Sequence, residues 1–266
     1  MSFKLAGYRF ELKPNWKITL FYLLLMPVLL RFGFWQIERA EEKRFLEQDY
    51  QQRMDAPPKS LVDALNLDDQ AYVRILISGH FDNERLFLLD NKIYQGQVGY
   101  EVITPFVLET PAFFLDAGQR RKVDVVWVNR GWISLGGSRA QLPEIPPVDY
   151  LRTIIATIDI PPGEAFVLAN EPFTGNWPEV VQKVDVELMN QRYQDESQLA
   201  VAPFMVRLEE GNAGVLQRIW QPINMSPAKH LGYALQWFSM ALALTILYLY
   251  VTIKRIKEDD TEQSND

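Results

Sequence analysis

The chain has 266 residues, of which 48% are hydrophobic and 12% aromatic, so it holds enough apolar material for one sizeable domain together with membrane segments. Its formal net charge of -7 argues against a nucleic-acid partner, because binding to phosphates requires a basic surface. With no cysteine and only two histidines, the chain cannot form a disulfide, a thiolate nucleophile, an iron–sulfur cluster or a three-histidine metal centre.

Residues 18–37 are the first predicted membrane-spanning helix. As a helix they cover about 30 Å, the thickness of a bilayer core. Arg31 lies close enough to the end of the segment for its long side chain to reach the interface. The alternative is a cleaved signal peptide, because the uninterrupted apolar run 18–30 is short and follows two lysines. No small-residue cleavage site follows, so we expect the mature protein to keep this segment.

Residues 231–253 are the second predicted span, an uncharged stretch of about 34 Å that ends at Lys254 and Arg255. Two spans place both termini on one side of the membrane. More lysines and arginines flank the outer ends of the spans than the inner ends, which favours cytoplasmic termini. The predicted segments are a cytoplasmic N-terminus (1–17), the first span (18–37), an extracytoplasmic domain (38–230), the second span (231–253) and a cytoplasmic acidic tail (254–266).

The segment between the spans has the pattern of a small β-rich domain. A polar helix over 37–52 should end before Pro57 and Pro58. A second helix should begin after Asp185, a suitable N-cap. The predicted strands are 72–77, 85–89, 100–106, 123–133, 152–160 and 204–208. The fold class is therefore a membrane protein whose two transmembrane helices flank an α+β domain, a mainly antiparallel β sheet or small barrel.

Two of these strands carry a more specific prediction. Residues 125–128 are apolar on both faces, which indicates a position in the middle of the sheet. In the strand 152–160, apolar residues alternate with Thr153, Thr157 and Asp159. That alternation predicts one buried face and one face in water.

The sequence contains no recognisable catalytic constellation. His80 follows a strand in a Gly-His-Phe-Asp motif, where a turn histidine bonded to a neighbouring carboxylate is the ordinary interpretation and a catalytic role the alternative. Gly136, Gly137 and Ser138 lack the lysine of a phosphate-binding loop and are interpreted as a turn beyond a strand. We therefore expect a protein that is not an enzyme.

His230 stands at the start of the second span, and it is the residue on which a binding function can be argued. On a helix, Tyr233, Ala234 and Trp237 fall on its face. A neutral imidazole among aromatic and small side chains at a membrane boundary can be an axial ligand of haem iron. The alternative is an interfacial anchor, because tyrosine and tryptophan are common at membrane surfaces.

Trp35, Gln36 and Arg39 lie at the corresponding end of the first span and should face the same membrane leaflet. By themselves they are interpreted as interfacial anchors. Two helices with aromatic and polar groups at one level can also form a shared pocket.

Several short motifs occur in one order over most of the chain, from residue 33 to residue 238. They are Gly33, Phe34, Trp35 and Gln36 with Arg39 and Lys43; Gly79, His80, Phe81 and Asp82; Gly99 and Tyr100 with Thr104 and Pro105; Val128, Asn129, Arg130, Gly131, Trp132 and Ile133; Asn170 with Trp177; and His230 with Tyr233, Ala234, Gln236, Trp237 and Phe238. In this order the motifs resemble the surfeit locus protein 1 family, membrane assembly factors of haem–copper cytochrome c oxidase.

The resemblance implies that the protein binds haem a, with His230 as axial ligand of the iron, and hands it to subunit one of the oxidase. It also implies an extracytoplasmic central domain and contact with other oxidase assembly factors. The sequence departs from the family in one place: members often carry asparagine directly before this histidine, whereas here Lys229 precedes it and Asn224 lies further back.

Arg130 has two interpretations. Its guanidinium can pair with a haem propionate. Alternatively, Asn129 and Arg130 bond backbone carbonyls across a tight turn, Gly131 supplies an unusual dihedral angle and Trp132 packs inward. The structural interpretation is favoured.

The resulting hypothesis is an assembly factor in a bacterial inner membrane, because the N-terminus does not resemble a transit peptide. Its haem a site would consist of His230, Tyr233, Trp237, Trp35, Gln36 and Arg130, and its partners would be the oxidase and the lipid bilayer. One rival is a membrane-tethered scaffold that stabilises oxidase subunits without touching haem. The other is a membrane-anchored enzyme that uses His80.

Overall fold

The computed structural model describes residues 2–5, 8–116, 118–137, 139, 141–160, 173–220 and 225–256. The chain divides into two compact units, one formed by Met1–Asp49 with Pro222–Asp266 and the other by Tyr50–Gln221. In chain order the elements are β1 (Ser2–Leu5), β2 (Tyr8–Leu12), α1 (Trp16–Asp55), β3 (Lys59–Ser60), α2 (Leu61–Leu65), β4 (Arg74–Phe81), β5 (Phe87–Tyr94), β6 (Gln97–Asp116), β7 (Gln119–Ser134), β8 (Arg152–Asp159), β9 (Glu179–Val181), α3 (Val186–Ser197), β10 (Val201–Leu208), α4 (Pro227–Thr252) and β11 (Ile253–Ile256).

The first unit contains the two helices that are long and apolar enough to cross a membrane, α1 and α4. The predicted first span and the polar helix after it are one continuous helix, which ends at Asp55, before the two prolines as predicted. Helix α4 starts with Pro227 in its first turn, where the missing N–H costs nothing. Both predicted spans are therefore helical.

Small residues line the contact between α1 and α4. Gly33, Ala234 and Ala241 are buried, whereas most large apolar side chains of both helices point outward, as expected for surfaces in contact with lipid. At Gly33 an added Cβ would lie 2.6 Å from the ring of Phe238. The close approach of the two helices therefore requires a small residue at this position.

The strands next to the two helices form a small antiparallel sheet in the order β1-β2-β11. Strand β2, before α1, pairs with β11, which directly follows α4. This pairing joins the segments that flank the outer ends of both helices.

The second unit is built around a closed five-stranded barrel. Its strands follow the order β4-β8-β10-β7-β6, and β6 pairs again with β4 to close the ring. The pairings are antiparallel except that between β10 and β7. The domain is therefore the mainly antiparallel β domain that the sequence predicted, in its barrel form.

Closure of the barrel depends on Gly79. In β4, Gly79 pairs with Leu108 of β6, and an added Cβ would lie 2.1 Å from the carbonyl oxygen of Val107. Glycine is the residue that permits such close approach of two backbones.

The barrel interior is apolar and fully buried. Strand β7 lies between β6 and β10, and its residues Val125, Val126, Trp127 and Val128 have no exposed surface, which confirms the predicted mid-sheet position.

Helix α3 begins after Asp185, whose carboxylate accepts the N–H of Leu188 as the predicted cap. Its Met189 and Tyr193 cover Trp127.

Two local predictions are wrong, the second of them in part. His80 is not in a turn but within β4, where it pairs with Val107, because β4 continues past the predicted strand end to meet β6. The predicted wet face of the strand 152–160 is confirmed at Thr153, which is exposed, but is wrong at Thr157 and Asp159, which are buried. Glu209 accepts the hydroxyl of Thr157, and Arg207 pairs with Asp159, so these polar groups are satisfied without water.

Candidate functional site

His230 and Gln36 form a direct contact between α4 and α1. His230 Nδ1 lies 2.7 Å from Oε1 of Gln36, and both side chains are half-buried between the helices. An amide oxygen accepts a hydrogen bond, so Nδ1 carries the proton and donates it. The other ring nitrogen, Nε2, then holds a free lone pair, which is the state required of a metal ligand.

Aromatic side chains pack together between the same two helices, below this pair. The rings of Phe32 and Trp237 stack with centroids 4.8 Å apart, and Trp35 meets Phe32 edge to face at 6.5 Å. The stack lies about two helical turns below His230 on α4 and one turn below Gln36 on α1. A polar nitrogen at one level and flat apolar walls below it are what a haem requires.

Two further side chains lie close by along the helices, namely Tyr233 on α4 and Arg39 on α1. Tyr233 and Trp35 are 44% and 37% exposed, so they present surface that a ligand can cover. The guanidinium carbon of Arg39 lies 5.9 Å from the ring of Trp35, and Arg39 also pairs with Glu42. Contacts between the two helices thus join His230 with Gln36, and Trp237 with Phe32, which also meets Trp35. Tyr233 lies about one turn from His230 on α4.

The donor set fits a haem held by a single protein ligand. Among the described residues, no three histidine, aspartate or glutamate side chains come together to hold a bare metal ion. A haem does not need such a cluster, because its macrocycle supplies four of the ligands to iron. Gln36 also supplies the imidazole partner that was missing beside His230 in the sequence.

A second polar cluster joins the opposite ends of α1 and α4, and sequence reasoning missed it. The rings of Tyr22 and Tyr248 stack with centroids 4.4 Å apart. Thr19 and Tyr248 share a hydrogen bond of 3.1 Å, and Tyr22 and Thr245 share one of 3.3 Å. Only the pairing of the helices reveals this cluster, because its members are more than 200 residues apart in sequence on two separate apolar runs.

Arg130 belongs to the barrel unit and is 1% exposed. Its Nε donates to the carbonyl oxygen of Gly214 and its Nη2 to that of Pro146, both at 2.8 Å. Gly131 has a φ of 116°, the unusual dihedral angle that the structural interpretation expected, but the motif lies within β7 and not in a tight turn. The pairing of Arg130 with a haem propionate stays a prediction.

The neighbours of Arg130 on β7 are also held by hydrogen bonds. Trp132 is buried, and its indole N–H donates to the carbonyl oxygen of Lys92 at 3.0 Å. Asn129 differs from the expectation: its amide donates to a carboxylate oxygen of Glu101, and its own oxygen accepts the N–H of Gly131. The motif around Arg130 therefore stabilises one end of the barrel.

Other predicted residues fall in different places. His80 is exposed and borders a shallow cleft with Asn83 and Tyr150. Gly136 and Gly137 form the predicted turn after β7. Ser138, Asn170, Asn224 and the tail beyond residue 256 lie outside the described residues.

The fold and the site define a class of protein: two candidate membrane helices that share a histidine–glutamine pair, joined to a five-stranded barrel domain. The profile of the SURF1 family matches residues 23–242, and the chain belongs to that family. This result confirms the resemblance seen in the sequence motifs.

Individual relatives agree with the family assignment. The chain is 22% identical to a SURF1-like protein of Rickettsia felis over 88% of this chain and 96% of that protein. It is 27% identical to a SURF1-like protein of Drosophila melanogaster over 88% of this chain and 78% of that protein. It is also 30% identical to the cytochrome oxidase assembly protein SHY1 of Saccharomyces cerevisiae, over 44% of this chain and 28% of SHY1.

Proposed function

We propose that this protein is an assembly factor for haem–copper cytochrome c oxidase, which binds haem a through His230 and assists its insertion into subunit one. The observation that carries the proposal is the hydrogen bond between His230 and Gln36. In the neutral ring it keeps the proton on Nδ1 and leaves the lone pair of Nε2 free, with an aromatic wall about two helical turns further along α4. The name of the similar yeast protein SHY1 supports the link to oxidase assembly.

Each residue of the site has a distinct task in this proposal. His230 supplies the axial nitrogen, and Gln36 orients its ring. Trp237 and Phe32 form the apolar wall, while Tyr233 and Trp35 cover the ligand edge. Haem a supplies the redox centre that the oxidase needs, and the chain itself carries out no chemistry on it. We therefore place the protein among non-enzymatic carriers that bind, orient and release a cofactor.

The proposed setting is a bacterial inner membrane, with the barrel unit on the periplasmic side. Two apolar helices at the ends of the chain and the excess of basic residues outside them support this arrangement. Its partners there would be subunit one, other oxidase assembly factors and the lipid bilayer.

The test is the visible spectrum of protein purified from cells that make haem a. We expect the wild type to carry a Soret band, and we expect His230→Ala to abolish or shift it. Alanine is well tolerated in a helix, so insertion of α4 should be unaffected. Trp237→Phe should weaken binding less, because it keeps most of the apolar contact and the iron ligand.

His80→Ala is the matched control, since it removes the only other histidine, and it should keep the wild-type spectrum. An unaltered spectrum in His230→Ala would show that the iron ligand lies elsewhere. A colourless wild-type protein from the same cells would favour the tethered scaffold that binds oxidase subunits without haem.

A further inference from the structure

Arg130 is the most buried arginine of the described residues, and part of its guanidinium lacks a partner. Its Nε and Nη2 donate to two carbonyl oxygens, but Nη1 is buried without any hydrogen bond. Burial lowers its pKa to about 10. Carbonyl oxygens accept hydrogen bonds without neutralising the charge, and the guanidinium carbon lies 5.5 Å from the centroid of the Phe81 ring. The buried positive charge therefore has an aromatic neighbour but no carboxylate to neutralise it.

Other buried or half-buried arginines of the barrel unit form ion pairs with carboxylates. Arg74 pairs with Glu209 at 2.7 Å, Arg85 with Asp82 at 2.9 Å and Arg207 with Asp159 at 2.9 Å. Arg192 pairs with Glu179 at 3.2 Å. Within the part of the chain that the structure describes, Arg130 has no such carboxylate. Among these buried and half-buried arginines, Arg130 is thus the exception that lacks a carboxylate partner.

Arg130 also lines an open cleft of about 440 Å³ at one end of the barrel. Arg152, at the start of β8, lines the same cleft and is exposed. Asp149, an exposed carboxylate, stands at the rim as well. In the described parts of the chain neither Arg152 nor Asp149 forms an ion pair. The cleft is therefore lined by one accessible guanidinium, one accessible carboxylate and the buried guanidinium of Arg130.

The rim of the cleft contains a strained residue. Tyr150 has a φ of 69°, which is rare for a bulky residue outside a turn or a functional site. Its side chain is 79% exposed. Gly214, whose carbonyl holds Arg130, has a φ of 83°, and a Cβ there would lie 2.4 Å from Val148. The backbone on both sides of the cleft is thus held in unusual conformations around the arginine.

We propose that this cleft is a binding site for a small oxyanion, a carboxylate or a phosphate group, contacted by Arg152 and stabilised by the buried charge of Arg130. A guanidinium binds either group through paired N–H donors. The charge of Arg130, which lines the same cleft and is buried in a medium of low dielectric, adds an attraction that water screens weakly. The proposal does not rest on haem binding, because all its residues belong to the barrel unit.

The test uses the full-length protein from cells that make no haem a, so that a haem propionate cannot occupy the cleft. Phenylglyoxal modifies accessible arginines, and mass spectrometry locates the modified residues. We expect acetate, phosphate or both to slow the labelling of Arg152 several-fold at constant ionic strength. Arg120, an exposed arginine that contacts Phe113 on a distant hairpin, is the internal control and should keep its rate.

Thermal unfolding gives an independent readout with matched variants. The protecting anion should raise the melting temperature of the wild type and of Arg120→Gln by the same amount, and that of Arg152→Gln by much less. Protection by acetate alone identifies a carboxylate site, and protection by phosphate alone identifies a phosphate site. Equal labelling of Arg152 with and without both anions, or an equal thermal shift in Arg152→Gln and wild type, would overturn the proposal.

Discussion

At the scale of single residues, the hydrogen bond between Gln36 and His230 decides which imidazole nitrogen can coordinate a metal. Gln36 Oε1 accepts the hydrogen bond from Nδ1, so the lone pair of Nε2 is the one available to a metal. Outer partners of this kind orient a ligand histidine and tune its basicity. Because Gln36 lies on α1 and His230 on α4, the site exists only while the two helices are packed together.

We expect Gln36→Leu to lower haem affinity about 10- to 100-fold, the usual effect of losing such an outer partner. Gln36→Glu places a stronger acceptor on Nδ1, which makes the imidazole more electron-donating, and it should lower the midpoint potential of bound haem. Pigment content and a redox titration of the purified variants measure these effects.

Thr19→Val is the control for this prediction. It removes a hydrogen bond between the same two helices, to Tyr248, at their opposite ends. Its pigment content should equal that of the wild type. Wild-type affinity in Gln36→Leu would mean that the orientation of the imidazole does not depend on this contact.

At the scale of elements, the contact of β4 with β6 closes the barrel and brings two backbones unusually close together. Three residue pairs join these strands, Gly79 with Leu108, His80 with Val107 and Phe81 with Phe106. The aromatic rings of Phe81 and Phe106 meet at 4.9 Å on the interior side. The ring of five strands is closed by this short contact, so a disturbance there opens the barrel.

Gly79→Ala should therefore destabilise the domain by about 1–3 kcal/mol, the usual cost of overpacking, because the new methyl group meets backbone that cannot rotate away. Gly137→Ala is the matched control: the new Cβ has no atom within 4 Å, and the stability should stay within about 0.5 kcal/mol of wild type. Thermal unfolding of the full-length variants in detergent, followed by circular dichroism, compares them. Equal midpoints for the two variants would contradict the role assigned to Gly79.

At the scale of the whole molecule, the segment before the first apolar helix and the segment directly after the second meet in one sheet. Strand β2 precedes the first apolar helix and β11 follows the second, and the two strands pair over four residue pairs. This pairing is compatible with an even number of membrane crossings, because both termini must then lie on the same side of the bilayer. We predict that this side is the cytoplasm, from the distribution of basic residues.

The chain contains no cysteine, so single cysteines can be introduced to test the topology directly. Asp68→Cys, at an exposed site of the barrel unit, should react with an impermeant thiol reagent in intact cells. Glu262→Cys, in the acidic tail, should react only after the cells are opened. The reverse pattern would show that the barrel unit faces the cytoplasm.

The sequence by itself was sufficient for features that depend on local pattern. The lengths of the two apolar runs predicted both long helices, since a bilayer sets the number of apolar residues that a span needs. The alternation of apolar and polar residues, together with turn residues, located β4, β5, β6, β7, β8 and β10 of the barrel unit. Asp185 marked the start of α3. The order of short motifs was enough to recognise the family.

Contacts between residues far apart in the sequence are seen only in the folded chain. The sequence placed Gln36 and His230 in one proposed site, but the direct hydrogen bond between them, across 194 residues of sequence, is seen only in the structure. Thr157 and Asp159 were expected in water because alternation reports polarity alone, and their burial depends on Glu209 and Arg207. The register between strands and the contact between helices arise from packing over the whole chain, which a local pattern does not encode.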